Sequence, residues 1–465
     1  MSDSDITSSM SWEATSVSAG RGDTLGVERR HNSPMLSAVY GGLLLFCIVY
    51  FFRPGDFILA LNWLHLALVT GGFAVVITAI AALSGAIKLR REGKVLVALF
   101  AYLCLCIPFS KWRGGSFDLV VITFSKGVMI AIAVMVAVTT IRRLRWLMVV
   151  QALAMFTMAA LAVAQPKRMD RMYGVGYLFS DPNDFALNLC VVLPFCLAFL
   201  LSSRRVLGKL VWTGVIGLML FAIISTGSRG GFIALLAAML AIWHRFRVKT
   251  STAIVTVLLL TVLAGTAILL VGAHSYFERM STIVDIQSDP NGSAMARREL
   301  LIESLKLTLT HPIFGIGPGQ FQNYGGAWHE THNAYTQLSS EAGIPALALY
   351  IMLLSSTFSN LRALAKLPRG SKLWYLATGL YCGMVAYMVG SFFLSTAYLL
   401  YPYLLMAYIS AAARIAADPS FSTTGVMETS KSRWGFQPAE SDARKPSDTT
   451  PLQEVGTAIE NQGNR

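Results

Sequence analysis

His332 lies in the stretch WHETHNAYTQLSSEAGIPAL, Trp328 to Leu347, followed at once by Asn333 and, after nine further residues, by Gly343. An imidazole with an ordinary pKa of about 6.5 can take a proton at neutral pH, which suits a general base. A loop or capping histidine reads equally well there. His329 and His332 could instead share a metal, but no third ligand accompanies them, so no metal site is assigned. Arg229, in STGSRGGFIAL, stands between two apolar runs. A buried charge there costs about 2.5–3.5 kcal/mol on membrane-insertion scales. It either snorkels to the interface, caps the preceding helix, or binds an anion, and a guanidinium with paired donors suits a diphosphate. Arg297, in AMARRELLIESLKLTLT, and Arg171 join it near the same surface. Lys126 falls inside an apolar run and takes no role. Gly315, Gly317 and Gly319, in HPIFGIGPGQF, form only a weak phosphate-loop signal, because no strand precedes them and no Gly-Lys-Ser/Thr follows; a plain tight turn is the alternative.

The elements that must carry these residues are membrane helices. Of the 465 residues 54% are hydrophobic and 14% charged, with a mean hydropathy of +0.56, which excludes an ordinary soluble enzyme. A bilayer core of about 30 Å needs roughly 20 apolar residues as helix, since lipid offers the backbone no hydrogen-bond partner. Runs of that kind predict about twelve spans, near 35 to 52, 57 to 86, 93 to 109, 117 to 138, 143 to 165, 184 to 202, 207 to 227, 229 to 245, 251 to 272, 344 to 359, 374 to 395 and 397 to 415. The expected fold is therefore an all-α polytopic transmembrane bundle with one large outer loop, 273 to 343, containing amphipathic helix at 294 to 310 that can lie in the membrane interface.

The formal charge of +13 does not point to nucleic acid, because the cations sit in short loops between spans. Lys88 to Lys94, Arg142 to Arg145, Arg204 to Lys209, Arg245 to Lys249 and Arg362 to Lys372 occupy alternate loops. The positive-inside rule turns these to the cytoplasm, with both termini. The opposite parity turns outward the segments around Arg53, Lys111, 166 to 183, Arg229 and 273 to 343. Residues 1 to 33 are polar and lack the pattern of a cleaved signal, and 417 to 465 are too poor in aliphatics to offset ordering entropy, so both read as disordered cytoplasmic ends. The cysteines all lie in apolar runs without Cys-x-x-Cys spacing, so no disulfide or thiolate metal site is expected.

In four stretches the chain resembles the O-antigen ligase and polymerase family of bacterial membrane glycan transferases. These are RMYGVGYLFSDPNDFA (Arg171 to Ala186), STGSRGG (Ser225 to Gly231), Arg297 leading to HPIFGIGPGQF, and His332-Asn333 before Gly343. The resemblance implies an inner-membrane enzyme that takes an undecaprenyl-diphosphate-linked glycan at the periplasmic face and transfers it to a hydroxyl of a glycan, lipid or protein acceptor. It also implies that Arg229 and Arg297 hold the diphosphate and that His332 acts as base, with no nucleotide sugar, cofactor or metal. Arg171, Asn183 and Asn333 match more loosely and would contact substrate. The competing readings are a transporter or flippase and a non-catalytic component of polysaccharide export. Against the first, the long loop is not central and related halves are not evident.

Overall fold

The computed structural model describes residues 34–57, 66–83, 89–165, 171–174, 180–246, 293–324 and 329–418. Its described elements are helices: α1 (Pro34–Phe52), α2 (Leu66–Leu83), α3 (Arg91–Cys106), α4 (Arg113–Ala137), α5 (Ile141–Ala164), α6 (Pro182–Ser202), α7 (Val206–Ser225), α8 (Arg229–Phe246), α9 (Ser293–Thr310), α10 (Ala334–Leu364), α11 (Lys372–Gly390) and α12 (Leu400–Ala416). Among the described residues eight helices are long and apolar enough to cross a bilayer, namely α1, α3 to α7, α10 and α11, and α12 is a shorter apolar helix. The chain is a multi-pass membrane protein. The span expected at 251 to 272 lies outside the described residues, as do the N-terminal 33 residues, the tail from 419 onward and 273 to 292 of the long segment.

Local chemistry starts and stops these helices. Thr140, Asp181, Asn333 and Ser371 cap α5, α6, α10 and α11 with side-chain oxygens that accept backbone N–H groups of the first turn. Pro182 follows its cap at the first helical position, where a missing N–H goes unnoticed. α4 contains a π-helical stretch at Asp118–Phe124, a distortion that tends to mark functional sites. α10 is two helical stretches joined at Gly343 (φ 83°, ψ 174°). The second begins where a span was expected, whereas the first, before Gly343, lies in what reads as loop by hydropathy.

The described helix ends meet one another at the two ends of the bundle. At one end Arg143 donates to the Ala137 carbonyl and to Ser37, Arg414 donates to the carbonyls of Val136 and Val138, and Asn360 donates to Glu92. The Phe246 and Trp374 rings also meet there. These are the basic ends. At the opposite end the starts of α4, α6, α8, α10 and α12 meet the ends of α3, α7 and α11 through the contacts described below. Lys126, inside α4, is exposed on the flank of the bundle.

With no hydrophobic drive between helices in lipid, close backbone packing holds them together. The seam between α6 and α11 shows this. An added Cβ on Gly379 would come 3.0 Å from the Pro194 carbonyl oxygen, and one on Gly383 2.6 Å from that of Val191. Leu187 fills the space beside Gly390. The outward faces of α7 and α8 meanwhile expose Val206, Leu207, Leu210, Leu240 and Trp243, as a lipid-facing surface should. Gly383→Leu is therefore expected to push α6 and α11 apart, destabilising the fold by about 1–3 kcal/mol. A detergent-solubilised thermal melt that matches the parent would refute this packing role.

Candidate functional site

The segment His311–Phe321 is bound on both sides, and its fixation begins the site. The Ile316 N–H donates to the Ser340 carbonyl at 3.0 Å, the Gly317 N–H to the Glu341 carbonyl at 2.8 Å, and the Ile344 N–H returns to the Pro312 carbonyl at 2.8 Å. On the other side Tyr102 donates to the Ile313 carbonyl at 2.5 Å, Ser116 to that of Pro318 at 2.7 Å, and the Lys111 N–H to that of Ile316 at 3.2 Å. The Phe109 and Phe314 rings stack with centroids 4.0 Å apart. Glu341, 2% exposed, sits inside the turn. Its carboxyl oxygens accept the N–H groups of Gly319 at 2.9 Å and Phe321 at 3.2 Å. The glycine run is thus a tight turn closed on the protein's own carboxyl group.

Gly343 is essential to this arrangement for two reasons. Its positive φ is one that L side chains adopt only with strain, and a Cβ there would collide with the Ile313 carbonyl. The bend lets Pro312 and Ile313 pass directly over the α10 backbone.

His332 stands just before α10 with a φ of 51°, unusual for a residue with a side chain and of the kind that gathers at functional sites. Two partners hold it. Its N–H donates to Ser395 Oγ at 2.9 Å, and Ser395 Oγ lies 3.1 Å from Thr331 Oγ1. Asn333 Oδ1 accepts the N–H groups of Tyr335 at 2.9 Å and Thr336 at 3.1 Å, fixing the start of the helix that follows. Burial pushes the His332 pKa down to about 4, aided by the positive charges of Arg297 and His329 and opposed by Asp181. The imidazole is consequently neutral at pH 7. The same interactions show that Arg297 in α9 and Asp181 at the start of α6 lie close to it.

Arg229 opens α8 beside this group. Gly230 packs against Phe393, and an added Cβ would be 2.8 Å from that side chain. Phe393 lies two residues before Ser395, so Arg229 and His332 flank the same turn between α11 and α12. The loop that presents Arg229 is tied down from below. Arg171 donates from Nε to the Thr226 carbonyl at 2.8 Å and from Nη2 to Asn183 Oδ1 at 3.0 Å. Ser228 donates to the same Asn183 oxygen at 2.8 Å, and its own Oγ accepts the Gly231 N–H at 3.1 Å. The residues expected to contact substrate therefore divide. Arg229, Arg297 and His332 gather at one end of the bundle, while Arg171, Asn183 and Asn333 direct the polar atoms just described to holding the first and last of these in position.

Residues 214–351 match the family model described as O-antigen ligase. The matched segment runs from α7 into α10 and contains Arg229, Arg297, His332, Glu341 and Gly343. It supports the O-antigen ligase family, and with the apolar helices it supports a membrane protein of polysaccharide biosynthesis. Members of this family are ligases and polymerases acting on lipid-linked glycans. No curated protein matches the chain. A solved structure described as "Structural coordination of polymerization and crosslinking by a peptidoglycan synthase complex" aligns with 19% identity over 70% of this chain and 98% of the other, at a TM-score of 0.41.

Sequence reasoning passed over Asp181, Glu341 and Ser395. Asp181 carried a usable signal, since Asp before Pro announces a helix start. Ser395 had none, because its partner is distant along the chain. Gly343→Ala is expected to cost well over the 1–3 kcal/mol that such a backbone conformation alone costs, or about twice that range with the collision added. The readout is folded yield in detergent and thermal midpoint, and parental values for both would refute the role given to this bend.

Proposed function

We propose that the protein is a glycan transferase using an undecaprenyl-diphosphate-linked donor at the periplasmic face of the inner membrane, in the manner of O-antigen ligases and polymerases. The observation that supports it is the gathering of Arg229, Arg297 and a neutral His332 around one turn at the end of the bundle opposite the basic loops. A polyprenyl diphosphate lies at that depth by necessity, its lipid in the bilayer and its charge at the surface.

The chemistry follows from charge and proton balance. The acceptor hydroxyl gives its proton to the free imidazole nitrogen of His332 as its oxygen attacks the anomeric carbon of the donor sugar. The bond from that carbon to the diphosphate oxygen breaks, and undecaprenyl diphosphate departs with the electron pair. Arg229 and Arg297 stabilise the charge that grows on the leaving oxygen. Arg171 and Asn183 act as positioning residues for Arg229, and Asn333 does so for His332. A base with a pKa near 4 is weak. Donor binding raises it in part, because an anion beside Arg297 offsets one of the lesser contributions to a value set mainly by burial.

Arg229→Ala, Arg297→Ala and His332→Ala, made separately, are expected to reach the membrane at parental abundance and to lower surface glycan by at least about a hundredfold, the scale of one lost base or charge stabiliser. Normal glycan from all three variants would end the catalytic reading.

The pH profile tests the base itself. Protonation of His332 in the free protein is completed only as pH falls through about 4, so the acid limb of kcat/KM is expected near that value. The limb of kcat, which reports the donor-bound state, is expected at higher pH. The same depressed pKa makes the native fold lose stability as pH falls from about 6.5 toward 4, since the unfolded imidazole takes up its proton first. Two coincident limbs near pH 6.5 would count against His332 as the base.

A further inference from the structure

Beside His332 the protein contains a cavity of about 640 Å³ that the reading above leaves unused. Its volume falls in the roughly 300–1,000 Å³ range of small-ligand sites. It opens between the start of α4, the turn 319 to 323, Glu330-Thr331 and the segment 395 to 399. Thr331 and Ser395, which hold the His332 backbone, form part of its wall. It therefore lies against the proposed base on the side of α4, whereas Arg229 approaches through Phe393 and α8.

The lining has a consistent chemistry. Trp112, Asp118, Gln322, Asn323, Glu330 and Gln337 contribute an aromatic face, carboxyl groups and carboxamides, and no Lys or Arg belongs to the described wall. Carboxamides offer both donors and acceptors, and carboxylates accept in pairs, the complement needed by vicinal hydroxyls. Trp112 is built to present one ring face. Its indole lies flat over Gly114 and Gly115, so close that a Cβ on Gly115 would come 2.6 Å from ring carbon Cε3. The side chain remains 60% exposed. The π-helical stretch Asp118–Phe124 begins at this wall, setting Asp118 and Leu119 into the lining. A flat apolar ring face beside hydroxyl-matching groups, with carboxyl groups in the described wall and its neighbouring cation Lys111 engaged over the Tyr324 ring, disfavours phosphates and uronic acids and suits an uncharged sugar.

We propose that this cavity is the acceptor-saccharide subsite and that it selects uncharged over anionic sugars, with Trp112 stacking on the apolar face of one ring. This rests on the transferase reading for the word acceptor. The binding claim itself does not depend on turnover.

Saturation-transfer NMR on the full-length chain in nanodiscs is the test, with uncharged hexasaccharides of glucose, galactose, mannose and N-acetylglucosamine, and hexagalacturonate as the anionic probe. At least one uncharged probe is expected to bind and hexagalacturonate to bind at least about tenfold more weakly. Trp112→Ala is expected to weaken that binding by about tenfold, the upper scale of one aromatic contact, and Trp112→Phe to recover part of it. Arg229→Ala and His332→Ala are expected to leave it unchanged. Binding of none of the uncharged probes, equal binding of the anionic one, undiminished binding by Trp112→Ala, or binding lost in Arg229→Ala would each overturn the proposal. Loss of surface glycan in the His332 variant is scored separately, so the subsite can fail while the transferase reading stands, and the reverse.

Discussion

The bend at Gly343, with the buried carboxyl of Glu341 two residues before it, is the constraint on which the site depends. Without a side chain at residue 343 the segment from Pro312 can lie on the helix backbone, and only there do the Ile344, Ile316 and Gly317 N–H groups find carbonyls. Glu341 then completes the turn by accepting two N–H groups that would otherwise be buried without partners. The consequence reaches further than the turn. α9 packs along α10 through Thr308 and Ser339, whose hydroxyls lie 2.8 Å apart, so the helix carrying Arg297 is aligned on the same helix that His332 precedes. One backbone bend therefore sets His332 and Arg297 relative to each other.

The membrane imposes the second level of order. Every polar backbone group in the hydrocarbon region must be satisfied within the protein, so irregular chain collects at the bundle ends. At the end holding the site, it is also where an anionic lipid head and a water-soluble acceptor can both be present. α9 shows how the boundary is used. Leu307 and Thr308 are buried against the bundle, whereas Ile302, Leu305 and Leu309 are exposed, Leu309 to 78%. Ile302, Leu305 and Leu309 thus form an exposed apolar stripe along the part of α9 that follows Arg297.

Much of this was legible in the sequence because membrane burial leaves a one-dimensional trace. Apolar runs located the eight described helices long and apolar enough to cross a bilayer. Arg229 was visible because a charge in an apolar run needs an explanation, and His332 because of its neighbours. What could not be read is what depends on contacts across the fold. Hydropathy takes the residues before Gly343 for loop, since Gln337, Ser339, Ser340 and Glu341 are polar; they are helical because they face Ala397, α9 and the His311–Phe321 segment and not lipid. The convergence of Arg171 and Ser228 on the Asn183 oxygen is likewise invisible along the chain. The glycines of α11 look like any small residues until α6 is laid against them.

The charges acting on His332 are mixed, with Arg297 and His329 opposing its protonation and Asp181 favouring it, beneath the larger effect of burial. On the proposed reading Arg229 and Arg297 serve the diphosphate, while Asp118 and Glu330 line the cavity assigned to the acceptor. A base placed among the cations alone would keep a low pKa and accept protons poorly; among the carboxylates alone it would be protonated before the acceptor arrived. On the transferase reading its basicity rises when the anionic donor offsets the nearby cations, so proton transfer is easiest with the leaving group in place.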